Sequence, residues 1–83
     1  MSNRDILTAR RFYEFAASGG SARAATAVGR TYDPSFLRGM GIWGILANAE
    51  AAKRWYEKGI SGGDAEASSR LEKLLKGSSG ANQ

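Results

Sequence analysis

The stretch RFYEFAASGGSARA, residues 11–24, is written almost twice in this chain, because RWYEKGISGGDAEA stands at residues 54–67. An offset of 43 residues carries Tyr13 to Tyr56 and aligns the two Ser-Gly-Gly triplets without a gap. A period in this range is typical of stacked helical repeats. The sequence therefore predicts an all-α fold made of antiparallel helix–turn–helix repeats.

Each copy has the pattern helix, Gly-Gly, helix. Apolar side chains before the first Gly-Gly recur at the spacing of one helix face. The glycines favour the left-handed stop of a helix, and the next residue, Ser21 or Asp64, can cap the helix that follows. Asp33-Pro34 predicts a further short helix between the copies, and Asn48 is the expected cap of the helix after it. The first helix is expected to begin at a cap on Asn3 or Asp5.

The predicted helices span residues 5–17, 22–32, 34–38, 49–60 and 65–76. Residues 1–4 are expected to form a flexible N-terminus. The polar, Gly/Ser-rich segment 77–83 is expected to be a disordered tail.

Aromatic and apolar side chains define the expected core. Four aromatics are expected to pack beside the small residues of both copies: Phe12, Tyr13, Trp55 and Tyr56. The segment between the copies is also too apolar for a free loop: Phe36, Leu37, Ile42, Trp43, Ile45 and Leu46. We expect this segment to close the seam between the two helix pairs. The alternative is an exposed apolar patch for a partner or a membrane surface.

The phrase A-x-x-W-Y-x-K, followed by a glycine and a helix that opens D-A-x-A, resembles the Sel-one-like repeats of the tetratricopeptide-like superfamily. The residues that carry the resemblance in the two copies are Ala9, Phe12, Tyr13, Gly20, Ala22, Ala24, Ala52, Trp55, Tyr56, Gly63, Ala65 and Ala67. The resemblance covers residues 5–76 and implies a short superhelical (solenoid) fragment. Family members act as non-catalytic scaffolds and adaptors, often in bacterial envelope, signalling or secretion systems.

The chain also departs from the family pattern. The period of 43 is longer than usual, Gly59-Ile60 replaces an Ala-Ala pair, and the last helix lacks the G-x-x-Y phrase. The resemblance also implies that the chain starts in the middle of a repeat. It would then be a C-terminal piece of a longer repeat protein, or it would form a symmetric homodimer through Ile6, Leu7 and their neighbours.

Composition limits the chemistry that the chain could perform. Its 83 residues include no Cys and no His, so the usual metal ligands, disulfides and His-based catalytic sets are missing. We expect no enzyme, no metal and no cofactor. The N-terminus has no apolar signal-peptide core, and the most apolar stretch, residues 40–49, is too short to cross a bilayer. The compartment stays open, with bacterial cytoplasm or periplasm as the candidates.

The net charge of +4 favours an anionic partner. The resemblance implies a concave face built by the helices at 22–32 and 65–76. The residues expected to point outward from that face are Arg23, Thr26, Arg30, Arg70 and Lys73. Because four of them are basic, an acidic peptide or a C-terminal carboxylate is the expected ligand. Nucleic acid is the alternative, and the acidic residues interleaved through both copies argue against it.

Overall fold

A computed structural model gives the fold, and it describes residues 3–80. Within these residues the chain forms five α-helices and no strand, which confirms the all-α class. The helices are α1 (Asn3–Ser18), α2 (Ala22–Tyr32), α3 (Pro34–Gly39), α4 (Ala49–Ser61) and α5 (Ala65–Gly80).

The helix ends follow the offset of 43 residues found in the sequence. Helices α1 and α4 end at Ser18 and Ser61, and α2 and α5 begin at Ala22 and Ala65. Each turn is closed by a glycine in the left-handed region, since φ is +103° at Gly20 and +92° at Gly63. The two copies therefore form two helix–turn–helix pairs with the same internal boundaries.

The caps predicted at Ser21, Asn48 and Asp64 are formed, and the Asp64 carboxylate accepts from the amide of Glu66 at 3.3 Å. The Ser21 hydroxyl accepts a hydrogen bond from the amide of Ala24 at 3.1 Å, and the Asn48 side chain accepts one from Ala51 at 3.1 Å. Each bond satisfies one of the amide donors that a helix N-terminus leaves without an intrahelical partner.

Both ends of the helical region differ from the prediction. Helix α1 already includes Asn3 and Asp5, so it begins earlier than the predicted start at residue 5. Helix α5 continues through Gly77, which was expected to begin a disordered tail. A Cβ built at Gly77 would lie 3.2 Å from the hydroxyl of Ser35, so this end of α5 runs beside α3. Residues 1–2 and 81–83 lie outside the described residues.

Helix α2 lies at the centre of the molecule. It packs most extensively against α4 and then against α1, while α4 packs against α5 and the short α3 contacts α2 and α5. The α2–α4 interface is close because glycine and alanine line it. A Cβ built at Gly29 would stand 2.5 Å from two ring carbons of Tyr56. One built at Gly59 would collide with the hydroxyl of Thr26.

Arg10 joins the first two helices. Its guanidinium donates hydrogen bonds to the Thr31 hydroxyl at 3.0 Å and to the Thr31 carbonyl at 2.6 Å. It also lies 3.7 Å from the centre of the Tyr32 ring. A cation at this place is favourable because the C-terminal end of a helix carries partial negative charge.

The expected core is only partly confirmed. Tyr56 is fully buried, whereas Phe12 is 74% exposed, so the prediction that Phe12 belongs to the core is wrong. Helices α2 and α4 pack together over Tyr56, but no described helix covers Phe12. Sequence periodicity places a residue on a helix face without saying whether another helix covers that face.

The segment between the copies divides into two parts. Leu37 and Ile42 are buried against Ile6 of α1, as expected for a segment that closes the seam. Trp43 and Leu46 are 73% and 88% exposed, so these two side chains do not contribute to the seam.

Candidate binding site

The structure brings three of the five predicted site residues together. Arg30 of α2 and Arg70 of α5 share one partner, and Lys73 lies with Arg70 along one groove. Arg23 is exposed on α2, seven residues before Arg30. Seven residues are close to two helical turns, so the two arginines share a helix face about 10 Å apart.

Thr26 does not belong to this surface. The prediction that it points outward is wrong, because its side chain is fully buried between α2 and α4. Its hydroxyl donates a hydrogen bond to the carbonyl of Ala22 at 3.2 Å. Thr26 follows Arg23 by three residues, so the two are neighbours on the helix surface. Their spacing alone does not separate the outward face from the face that α4 covers.

Glu66 holds the two arginines in place. Its Oε2 atom accepts from Arg30 at 2.9 Å and from Arg70 at 3.1 Å. The side chains of the two arginines are 25% and 30% exposed, so both guanidiniums remain accessible beside this carboxylate. The pair Glu66–Arg70 has the i, i+4 spacing that favours such a bridge on a helix, and this was the signal in the sequence that could have found Glu66.

Phe36 of α3 lies close to the same two guanidiniums. The guanidinium carbons of Arg30 and Arg70 stand 5.9 Å and 5.1 Å from the centre of its ring. Distances of this size allow an attraction between a cation and the face of an aromatic ring. Sequence reasoning placed Phe36 only in the apolar segment and missed this role, because the contact joins residues far apart in the chain.

A groove of about 350 Å³ runs beside this cluster. Its lining residues come from the α2–α3 junction, from α3 and the residue after it, and from α5: Asp33, Ser35, Phe36, Gly39, Met40, Arg70 and Lys73. An aromatic ring, a methionine and two cations thus border one concave surface. Such a surface can accept an apolar side chain next to a carboxylate.

Asp33 is a structural member of the groove wall. It is 2% exposed, and one oxygen accepts from the amides of Ser35 and Phe36 at 2.8 Å and 3.3 Å. The other oxygen accepts from the Tyr56 hydroxyl at 2.6 Å. Burial, and then this bond to a carboxylate, raise the pKa of Tyr56 well above its ordinary value. Asp33 therefore caps α3 and anchors α4, with both oxygens engaged inside the protein.

Two other kinds of site are missing from residues 3–80. These residues contain no cluster of three or more acidic side chains that could hold a metal ion. None of the helices in this part of the chain is long and apolar enough to cross a bilayer.

The residues expected to form a symmetric dimer are not equally accessible. Ile6 is 5% exposed and packs against Leu37, so it belongs to the core and is not part of an open face. Leu7 is 46% exposed, and further along α1 Phe12 and Phe15 are 74% and 82% exposed. The open apolar side of α1 therefore consists of Leu7, Phe12 and Phe15.

Comparison with known proteins adds no relative to this description. The chain matches no family model, no curated protein and no solved structure.

Proposed function

We propose that this chain is a non-catalytic protein-interaction module of the Sel-one-like type, which binds an acidic peptide or a peptide C-terminus in the groove between α3 and α5. The observation that carries the proposal is the convergence of Arg30 and Arg70 on Glu66 and on the ring of Phe36. Lys73 adds a third cation along the same groove.

The cluster keeps a positive balance after its internal ion pairs are counted. Glu66 is one carboxylate shared by two arginines, and Lys73 adds a third positive charge. The described bonds of Arg30 and Arg70 to Glu66 use one nitrogen of each guanidinium. Because a guanidinium carries five N–H donors, further donors remain for a carboxylate from a ligand.

Preorganisation makes this cluster a better site than three mobile surface cations. The Arg30 and Arg70 side chains are already held by Glu66 and by contact with Phe36. Less conformational entropy is then lost when a ligand carboxylate binds. The groove wall is held in turn, because Asp33 fixes both α3 and the Tyr56 hydroxyl.

The order of packing supports the Sel-one-like assignment. Helix α1 packs on α2, α2 on α4 and α4 on α5, as in a row of stacked antiparallel helix pairs. The residues of the family phrase take part in this packing, since Ala52, Tyr56 and Ala67 are fully buried.

The test is selection of binding peptides from a random library that is displayed with free C-termini. The proposal expects the selected peptides to be rich in Asp and Glu or to require the free carboxylate. Their affinity should fall at least tenfold in the variant Lys73→Glu. The matched control is Arg54→Glu, which makes the same charge change at an exposed position of α4.

Circular dichroism confirms that both variants remain folded. A selected peptide that loses affinity equally in Lys73→Glu and Arg54→Glu responds only to net charge, and that result contradicts a site in the groove. The proposal is also contradicted if amidating the C-terminus and replacing the acidic residues of the peptide leave its binding unchanged.

A further inference from the structure

The segment that joins α3 to α4, residues 40–48, is here called the α3–α4 loop. Its inward side chains hold it on the core, since Ile42 is buried and Ile45 packs against the same core cluster. Its backbone is also tied down, because the amides of Ile42 and Asn48 donate to carbonyls of α3 and α2, each at 2.9 Å. The loop therefore follows a defined path over the protein.

The outward side chains of the α3–α4 loop are large and apolar. Met40, Trp43 and Leu46 are 56%, 73% and 88% exposed. They recur every three residues, between the side chains that hold the loop on the core. Because the loop is fixed from within, the fold itself presents these three side chains to the outside. An apolar patch that a fold presents in this way marks a site of interaction.

Negative charge is missing from the sequence around this loop. Residues 34–49 contain no Asp or Glu and a single basic residue, Arg38, although 24% of the chain is charged. Arg38 is exposed and borders one groove together with Trp43. The patch is therefore apolar with a cation at its margin, in a chain of net charge +4. Such a surface is attracted to an anionic one, and no acidic residue of the segment opposes the approach.

The backbone of the loop distinguishes a lipid surface from a protein surface. The amides of residues 43–47 donate to no backbone acceptor among the described residues 3–80. A dry protein interface would leave these buried amides unsatisfied unless the partner supplied matching acceptors. A partner β-strand would not pair along the whole segment, because Gly44, at φ +86°, interrupts the extended backbone. The headgroup region of a bilayer is polar and hydrated, so it offers acceptors without requiring a register.

We propose that the α3–α4 loop binds the surface of a bilayer that contains anionic lipids. Trp43 and Leu46 enter the boundary between headgroups and acyl chains, a depth at which tryptophan is enriched in membrane proteins. Arg38 contacts lipid phosphates, which attract cations to the surface. The loop stays at this boundary, because the hydrocarbon core offers no acceptor to its free amides. Met40 also borders the groove between α3 and α5, but binding to lipid does not depend on the peptide site.

Co-sedimentation with lipid vesicles measures the partition coefficient of the chain. The probes are vesicles of phosphatidylcholine alone and vesicles that also contain phosphatidylglycerol. Every chain in the experiment carries Trp55→Phe, which leaves Trp43 as the only tryptophan. The fluorescence of Trp43 then reports on the loop directly. Circular dichroism confirms that each chain is folded.

We expect the parent chain to bind vesicles that contain phosphatidylglycerol and to bind phosphatidylcholine vesicles more weakly. On binding, the emission of Trp43 should shift to shorter wavelength and be quenched by lipids with brominated acyl chains. Leu46→Ser should lower the partition coefficient about tenfold, because less apolar surface leaves water. The matched control is Phe15→Ser, which removes an apolar side chain that is 82% exposed on α1 and should leave the coefficient nearly unchanged.

A second pair of variants tests the charge. Arg38→Gln should weaken binding to the vesicles that contain phosphatidylglycerol more than Arg54→Gln does. Arg54→Gln makes the same charge change at an exposed position of α4. A larger loss in Arg38→Gln therefore reports a cation at the bound surface and not the net charge of the chain.

Four results would overturn the proposal. The first is a folded parent chain that binds neither kind of vesicle, which would leave a protein surface as the occupant of the loop. The second is equal binding to both kinds of vesicle, which would exclude a preference for anionic lipid. The third is an equal loss in Leu46→Ser and Phe15→Ser, which would assign binding to the exposed apolar surface in general. The fourth is binding without a shift or quenching of Trp43 emission, which would place the lipid on another face of the protein.

Discussion

Tyr13 of α1 and Tyr56 of α4 stand at the same place in the two copies, yet their surroundings differ. Tyr56 is fully buried against Gly29, and its hydroxyl donates to Asp33 at 2.6 Å. Tyr13 is half-buried and meets the exposed ring of Phe12. The same residue type thus contributes to the core of one helix pair and to the surface of the other, because α2 covers the face of α4.

The residues around Tyr56 allow α2 to pack closely on α4. Position 59 is glycine where α1 has Ala16, and a Cβ at Gly59 would collide with Thr26. Gly29 corresponds to Glu72 in α5, which is exposed. Small residues therefore occur where two helices meet closely, and larger ones occupy the matching positions that no described helix covers.

The largest effect is expected from Gly29→Ala. The added methyl group would stand 2.5 Å from the Tyr56 ring, and the ring is held at its hydroxyl by Asp33. Overpacking of this kind lowers the free energy of unfolding by about 1–3 kcal/mol, which is a large part of the ~3–5 kcal/mol that a domain of this size has. Urea unfolding followed by circular dichroism measures the change.

Gly39→Ala is the control for that experiment. Gly39 lies in α3, and an added Cβ there meets nothing within 4 Å. The unfolding midpoint of Gly39→Ala should stay at or slightly above that of the wild type, because alanine is the better helix former. A Gly29→Ala variant as stable as Gly39→Ala would show that the α2–α4 interface is looser than described.

The next effect compares the two tyrosines directly. Tyr56→Phe leaves one oxygen of the buried Asp33 without its hydrogen-bond donor, which costs about 1–2 kcal/mol of unfolding free energy. Tyr13→Phe makes the same chemical change at a half-buried position and should stay within about 0.5 kcal/mol of the wild type. Equal losses in the two variants would mean that the two copies have equivalent environments after all.

The sequence predicts the features that depend on residues close together in the chain. It does not predict those that depend on residues far apart. The offset of 43 residues, the glycine turns and the caps at Ser21 and Asn48 are local signals, and the structure confirms them. The exposure of Phe12 and the burial of Thr26 are not local. They depend on which helix faces α2 covers. The residues within one helical turn of Phe12 or of Thr26 do not indicate this.

The candidate binding site shows the same limit. The resemblance grouped Arg30 with Arg70 and Lys73 on the helices at 22–32 and 65–76, and these three side chains lie together in the structure. It could not find Phe36, because the ring reaches the two guanidiniums from a short helix whose position is set by Asp33. The prediction therefore captured the charge of the site and missed its aromatic member.

A smaller effect is expected from Arg10→Ala, which tests the contact that Arg10 makes between α1 and α2. The substitution removes two hydrogen bonds to Thr31 and the contact with the Tyr32 ring. About 1 kcal/mol of unfolding free energy should be lost, because the site is only partly buried. Lys53, the counterpart of Arg10 in α4, provides the matched control as Lys53→Ala. An equal loss of unfolding free energy in Lys53→Ala would assign the effect to the lost charge and not to the contact between α1 and α2.

The smallest effect is a pH dependence of the free energy of unfolding that comes from Tyr56. Because burial and Asp33 raise the pKa of Tyr56 in the folded state, its proton is held more tightly there than in the unfolded chain. This contribution to stability is complete below the unfolded pKa of about 10 and is lost as the pH rises toward the folded pKa, at no more than about 1.4 kcal/mol per pH unit. Urea unfolding from pH 8 to 11 should therefore show the stability difference between the wild type and Tyr56→Phe shrinking above pH 10. If that difference stays constant, the Tyr56 hydroxyl is not isolated from solvent, and the contrast between the two helix pairs is one of packing alone.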